Sequence, residues 1–598
     1  MFQALNFRWS LVAEALILLA VPIVLTVLFE RLRAAEGRST RRGGRTGHQG
    51  TGTSGHEGRK GGDPAKRGTA EDKNKPPGQT FSAASSPNRS REALAGKPVT
   101  GHYGEDLNVF REISADMADV NIREIRLGGI DIRVALLFVD GLTDKIAMDE
   151  NILRPLLTTL HPFQKLEAAL SPADLKLIVT ERVLQVAEVA DAARMGDVLE
   201  KVLFGSTVLL LDSLPEAIVL GTARGQKRGV EEPISEALLR GPRVGFTETL
   251  SDNTALLRRH GQTTELAMRS YTVGRRIKKE MMLIYMRDVA DPELIQEIER
   301  RIGTIDIDDA QESGYVEQLI EDNFLSPFQQ LQNTERPDRV MAALLEGRAC
   351  ILLDGTPFAL LAPVTFGMLL QSPEDYFERW IPGTLLRLLR FIAATASLFV
   401  PALYISFLSF HPGLIPTKLV MSIASSRQGV PFPTLVEALI MEFAIEILRE
   451  AGLRLPKPIG PAMGIVGGLI IGQAAVEAGI VSPILVIVVA VTAISSFAIP
   501  MYSAGITLRA LRFIAMFFAA VLGLYGVILF FLLLISHVMK LKSFGVQFAG
   551  FSVPGELKDL KDFAIRFPLQ LMKHRPTMMK PKTRIRKGGG KPEGGGSS

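Results

Sequence analysis

One cysteine, Cys350, stands in a chain of 598 residues. That excludes an internal disulfide and any cysteine-built metal cluster, so the chain has no need of an oxidising compartment. A plain buried thiol is the expected role of Cys350. Aromatic residues supply only 7% of the sequence, and its 8 histidines are scattered. No GxxxxGK[ST], HExxH or GxSxG pattern occurs, and no Cys/His ligand spacing. Neither catalysis, a metal nor a cofactor is therefore expected. The net charge of +5 suits a membrane surface as well as nucleic acid until the charges are located.

Location decides between them. "LVAEALILLAVPIVLTVLF" (Leu11 to Phe29) is long enough to cross a thin bilayer, and six arginines from Arg31 to Arg45 follow it while only Arg8 precedes it. This pattern fits an N-terminal anchor over residues 1–30 with the following chain in the cytoplasm. Residues 31–104 are rich in Gly, Ser, Pro, Lys and Arg, which fits a disordered basic linker beside anionic lipid. Nucleic acid is not an expected partner.

A globular composition then begins and repeats itself. "VALLFVDGLTD" (Val134 to Asp144) is echoed by "MMLIYMRDVAD" (Met281 to Asp291), and "GSTVLLLDSLPEAIVL" (Gly205 to Leu220) by "GRACILLDGTPFALLA" (Gly347 to Ala362). The expected fold is an α/β soluble domain of two related subdomains, residues 105–223 and, with a charged connector, 224–375. Asp212 and Asp354 close strands at turns and read as structural. An all-α multispanning membrane domain of four or five helices follows over 376–540, and then a tail, 541–598, whose basic sequence reads as disordered.

Four apolar runs are clear: Phe391 to Phe410, Ile459 to Gly479, Ser482 to Leu508 and Phe513 to Ser536. A fifth candidate, "PFPTLVEALIMEFAIEILREAGLRLPKPIG" (Pro431 to Gly460), carries Glu442, Glu446 and Glu450 along one helical face, with Glu437 set off from them. Acids on an otherwise apolar helix face water or another protein group. Two readings stay open, a helix lying in the interface and a helix lining an aqueous path that favours cations. The span count stays open too: four return the basic tail to the cytoplasm, and five place Arg449, Arg454 and Lys457 there instead. In the next run Gly464, Gly468 and Gly472 form overlapping GxxxG patterns, a groove for close helix packing, with Gly467 beside it. Gln473 and Glu477, one turn apart, are intramembrane polar candidates.

The stretches "LSPFQQLQNTERPDRVMAALLEGRACILLDGTPFALLAPVTF", "SPEDYFERW", "FHPGLIPTKLVMSIASSRQGVPFPTLVEALIMEFAIEILREAGLRLPKPIG" and "GIVGGLIIGQAAVEAGIVSPILVIVVAVTAISSF" closely resemble the A-subunit family of spore nutrient-germinant receptors, the GerA type, which includes stage V AF sporulation proteins. The likeness runs from about Asn108 to Val553. It implies a cytoplasmic two-part domain joined to a membrane domain in the spore inner membrane. It also implies a transporter-like B subunit and a lipoprotein C subunit as partners, and a homo-oligomeric nutrient-gated ion channel. In that frame Glu437, Glu442, Glu446 and Glu450 are pore-lining candidates. A non-conducting scaffold and, third, a secondary transporter are the competing functions. The leading segment and basic linker depart from the family pattern.

Overall fold

The computed structural model describes residues 93–127, 132–158, 171–223, 232–233, 235–236, 238–454, 460–550, 562–563 and 565–586, all within one compact unit, Ser85–Ser598. The expected anchor and most of the expected linker lie outside them. The fold takes in the linker's last residues, however. Val99 is buried, its N–H donating to the Ala193 carbonyl at 2.9 Å, and the Asp106 carboxylate accepts from the Thr100 and Gly101 N–H groups.

The repeat in the sequence is a repeat in space. The first subdomain contains β1 (Val120–Arg126), β2 (Arg133–Val139), β3 (Val189–Ala192), β4 (Thr207–Leu211) and β5 (Ala217–Leu220), and their order across the sheet is β1-β2-β4-β5-β3. In the second, β6 (Leu266–Val273), β7 (Lys279–Met286), β8 (Gln332–Thr334), β9 (Ala349–Leu353) and β10 (Ala359–Ala362) run β6-β7-β9-β10-β8. The two orders are the same, and all these pairings are antiparallel. The quoted echoes fall on β2 and β7, and on the hairpins β4–β5 and β9–β10.

Side-chain alternation builds a core on each face of each sheet. From β2, Ala135, Leu137 and Val139 pack with α1 (Tyr103–Ile113) and α2 (Met195–Leu203), while Val134 and Leu136 face the opposite core. In the second subdomain α3 (Leu250–His260) and α5 (Pro337–Leu345) cover one face and α4 (Pro292–Ile302) the other. Helix α4 starts where the sequence says it must: Asp291 accepts the Glu293 N–H at 3.1 Å and Pro292 supplies a fixed φ. Cys350 is buried in β9, and burial raises its thiol pKa. Asp354 accepts the Leu250 N–H at 3.1 Å, and Asp212 pairs with Arg133. Across the subdomain boundary Arg258 of α3 holds Asp119 through two hydrogen bonds of 2.8 and 2.7 Å, both side chains being buried.

The helical part comprises α6 (Trp380–Ser409), α7 (Thr417–Ser426), α8 (Thr434–Arg454), α9 (Gly460–Glu477), α10 (Pro483–Phe497) and α11 (Tyr502–Lys540). By length and composition α6 and α11 are each long and apolar enough to cross a membrane. Two expected spans are corrected here. The run Ser482 to Leu508 is not one helix, because α10 ends at Phe497 and Pro500 precedes the new start at Tyr502. Nor is Phe513 to Ser536 one straight helix. Gly523 takes φ +60° and ψ −139°, and α11 folds back on itself there. The Phe518 and Phe530 rings meet at 5.6 Å, whereas a straight helix would separate those residues by about 18 Å. Only glycine fits the turn: a Cβ on Gly523 would lie 2.9 Å from Phe410 and His411, at the end of α6.

Both ends of this bundle return to the second subdomain. At the start of α6, Arg387 and Arg390 pair with the buried Asp375 at 3.2 and 2.6 Å. After α11 a tight hairpin, β11 (Lys542–Ser543) and β12 (Val546–Gln547), plugs into the same subdomain. Ser543 Oγ donates to the Gln330 carbonyl at 2.6 Å and accepts the Val364 N–H, while the Phe544 N–H donates to Asp322 and its ring lies under Arg301 at 4.3 Å. The tail's reading as disordered is corrected over 565–586. There Lys582 N–H bonds the Val289 carbonyl, Arg575 the Leu345 carbonyl and Thr583 the Asp288 carbonyl. Lys582 donates through its backbone, Arg575 and Thr583 through their side chains, and each acceptor is a backbone carbonyl that composition does not reveal.

Candidate functional site

Helix α8 begins beyond Pro433 and runs through Arg454, so its acids recur about once per turn. It wears the first three inward. Glu437 and Glu442 are fully buried and Glu446 partly so, while Ile440, Phe443 and Ile447 face out. This is the reverse of a helix lying in an interface, whose polar side meets water.

Each acid has an arginine from the same chain. Glu437 accepts from Arg427, beyond α7, at 2.6 Å, and its other oxygen takes the Ser482 N–H at the start of α10 at 3.3 Å. Ser482 in turn meets the Tyr404 hydroxyl of α6 at 3.0 Å. Glu442 pairs with the buried Arg512 of α11. Glu446 pairs with Arg449 at 3.1 Å and with Arg509 of α11 at 3.3 Å, and Arg449 also reaches Ser496 of α10 at 2.9 Å. Glu450 and Arg454 form an exposed pair at 2.7 Å. A column of charge thus passes through the helices, and it is incompletely matched. Among the described residues Glu442 Oε1 and Arg512 Nε and Nη2 are buried without a hydrogen-bond partner. Removing one member of such a buried pair costs roughly 3–5 kcal/mol, because the other charge is left in low dielectric.

These contacts also set the direction of each helix. Glu437 lies with Ser482 and Tyr404 toward the Gly523 turn, whereas Arg449 lies with Ser496 toward the second subdomain. At that second end Thr507 of α11 bonds the Pro327 carbonyl at 2.7 Å.

Part of the glycine groove is filled within the chain. A Cβ on Gly467 would meet Leu448 of α8 at 2.8 Å, and one on Gly468 the same side chain at 3.8 Å. Gly472 faces Val486 of α10 at 3.3 Å. The surroundings of Gly464 lie outside the described residues. Gly467, placed beside the groove by its spacing, makes the closest approach. Gln473 and Glu477 stay on the outer surface of α9, bonded to each other at 2.9 Å.

The arginines are what sequence reasoning missed. Arg509 and Arg512 fall in the gap between the runs Ser482 to Leu508 and Phe513 to Ser536, so neither run contains them. The signal was present, since an Arg three residues from another inside a continuous apolar stretch is a functional candidate by default.

The matching family model, described as Bacillus/Clostridium GerA spore germination protein, covers residues 108–578. Spore germination protein GerLA of Bacillus cereus is 43% identical over 484 residues, 81% of this chain and 97% of that protein. Spore germination protein B1 of Bacillus subtilis is 42% identical over 483 residues, 80% of this chain and 98% of that protein. The crystal structure of the N-terminal domain of the A subunit of the Bacillus megaterium spore germinant receptor GerK3 is 32% identical, covering 45% of this chain and 98% of that one at a TM-score of 0.36. Among the described residues two helices are long and apolar enough to cross a bilayer, and the chain belongs to the GerA family of spore germination proteins.

Proposed function

We propose that this chain is the A subunit of a nutrient-germinant receptor in the spore inner membrane, and that several copies surround a cation path opened when a partner binds the nutrient. Its partners are a transporter-like B subunit and a lipoprotein C subunit. The bundle crosses the membrane six times, through α6, α8, α9, α10 and the two arms of α11. An even number follows from both bundle ends meeting the second subdomain. Arg387, Arg390, Arg449, Arg454, Lys540 and Lys542 gather at that end, which the positive-inside rule makes cytoplasmic.

The observation that carries the reading is the sorting of polar groups. Glu437, Glu442 and Glu446 are struts inside one subunit, so they hold helices rather than meet ions. Glu450, Gln473 and Glu477 are exposed on α8 and α9, separated by the exposed apolar side chains Ile447, Ile470 and Ile471. Acidic mouths flanking an apolar waist suit a pore that attracts cations and gates by losing water. A second reading, a non-conducting scaffold, is favoured by the pairing of every α8 acid within the chain.

Germinant-triggered potassium release from spores carrying Glu450→Gln with Glu477→Gln separates the two, once blotting shows the variant and its partners at normal levels. Several-fold slower release is expected. Unchanged release would leave the scaffold as the function.

A further inference from the structure

Where the helical bundle meets the second subdomain there is a cavity of about 390 Å³. Leu398 of α6, Leu508 of the first arm of α11 and Val538 of the second arm form its walls, with Phe328 and Phe366 of the α/β part as its floor. Thr395 is its one polar lining residue among those described, and that hydroxyl already donates to the Phe391 carbonyl at 3.0 Å. The cavity therefore offers a ligand no side-chain hydrogen-bond donor and only the Thr395 oxygen as an acceptor, which disfavours polar small molecules and selects for hydrocarbon.

Its mouth says where that hydrocarbon comes from. Thr395 on α6 and Phe531, Ile535 and Met539 on α11 all line the cavity and are all exposed. The opening is thus a lateral slot between the two long apolar helices, continuous with the surface that meets lipid when the chain spans a bilayer. The exposed Lys540 and Lys542 follow directly in the chain, at the end where a phosphate would sit.

We propose that this cavity binds one acyl chain of a phospholipid from the cytoplasmic leaflet, entering between α6 and the second arm of α11. The assignment rests on the membrane reading but not on ion conduction. An occupied cavity stiffens the junction, because its walls belong to the spans and its floor to the subdomain that grips both bundle ends.

The test uses the full chain in nanodiscs containing a phospholipid with a photoreactive diazirine near the end of one acyl chain, with cross-links mapped by mass spectrometry. Labels are expected to concentrate in residues 394–399 and 531–538. They should fall several-fold there with Ala394→Phe, which fills the cavity, and with Thr395→Trp, which blocks the mouth at an exposed position, while labels at the exposed Ile487 and Ile494 of α10 stay unchanged. Labels spread evenly over the outer faces, or insensitive to both substitutions, would overturn the site. So would labels that appear in the cavity only after residues 1–30 are removed, since that segment would then be the occupant. Absence of label from every apolar helix would overturn the membrane reading and the site together.

Discussion

The two α/β subdomains share one strand order but differ in what surrounds it. In the first, edge strand β3 is mostly exposed, and Lys176 pairs with Asp191 at the surface. In the second, the equivalent strand β8 is largely buried, with Gln332 turned toward Met501 at the start of α11. The second subdomain also receives the α6 root, the β11–β12 hairpin and the tail. A duplicated sheet is thus a shared chassis, and the contacts added to one copy make it the mechanical link to the helical bundle.

The largest effect should come from separating the copies. Arg258→Ala leaves Asp119 buried and unpaired, a loss of roughly 3–5 kcal/mol. In the detergent-solubilised full chain this is expected as a lower melting temperature, with protease cuts appearing first between the subdomains. A smaller loss, about 1–3 kcal/mol, is expected for Ser543→Ala, which leaves the Gln330 carbonyl and the Val364 N–H without their partner. Faster proteolysis around residues 541–550, with the first subdomain as stable as before, would mark the hairpin as the second copy's own attachment.

The smallest effect depends on pH. Glu317 lies beside Glu321 and Glu312, and Glu321 lies beside Asp322, which holds the hairpin. Burial first, and neighbouring carboxylates second, push their pKa values from 4.5 up to about 8 and about 7. An acid whose folded pKa is raised contributes stability that is present below its unfolded pKa and lost as pH rises through the folded one. The second subdomain should therefore melt at progressively lower temperature from about pH 4.5 to pH 8, and Glu317→Gln should flatten that slope. Both carboxyls are partly exposed, so solvent screening keeps the effect modest.

What was legible in the sequence follows from how local the cause is. Strand–turn–strand signals and the α4 start depend on neighbouring residues, and both repeats were readable from them. The fold-back at Gly523 was not, because the apolar composition is the same on both sides of the turn and glycine is common in membrane helices. The inward face of α8 was equally hidden. Its spacing aligned Glu442, Glu446 and Glu450 correctly, but only the packing of α7, α10 and α11 shows that arginines stand opposite. The tail docks onto backbone carbonyls of the second subdomain, which leave no trace in composition.

The account turns on Glu442 and Arg512 being a strut inside one subunit rather than a free acid facing ions. A double-mutant cycle tests this most directly, with spores carrying Glu442→Gln, Arg512→Gln or both, scored for subunit level in the membrane and for germinant-triggered potassium release. The account predicts that each single change lowers subunit level and release together, and that the double change restores much of both, because no buried charge is left alone. Normal subunit level with abolished release in Glu442→Gln, unrelieved by the second change, would contradict it and return Glu442 to the wall of the pore.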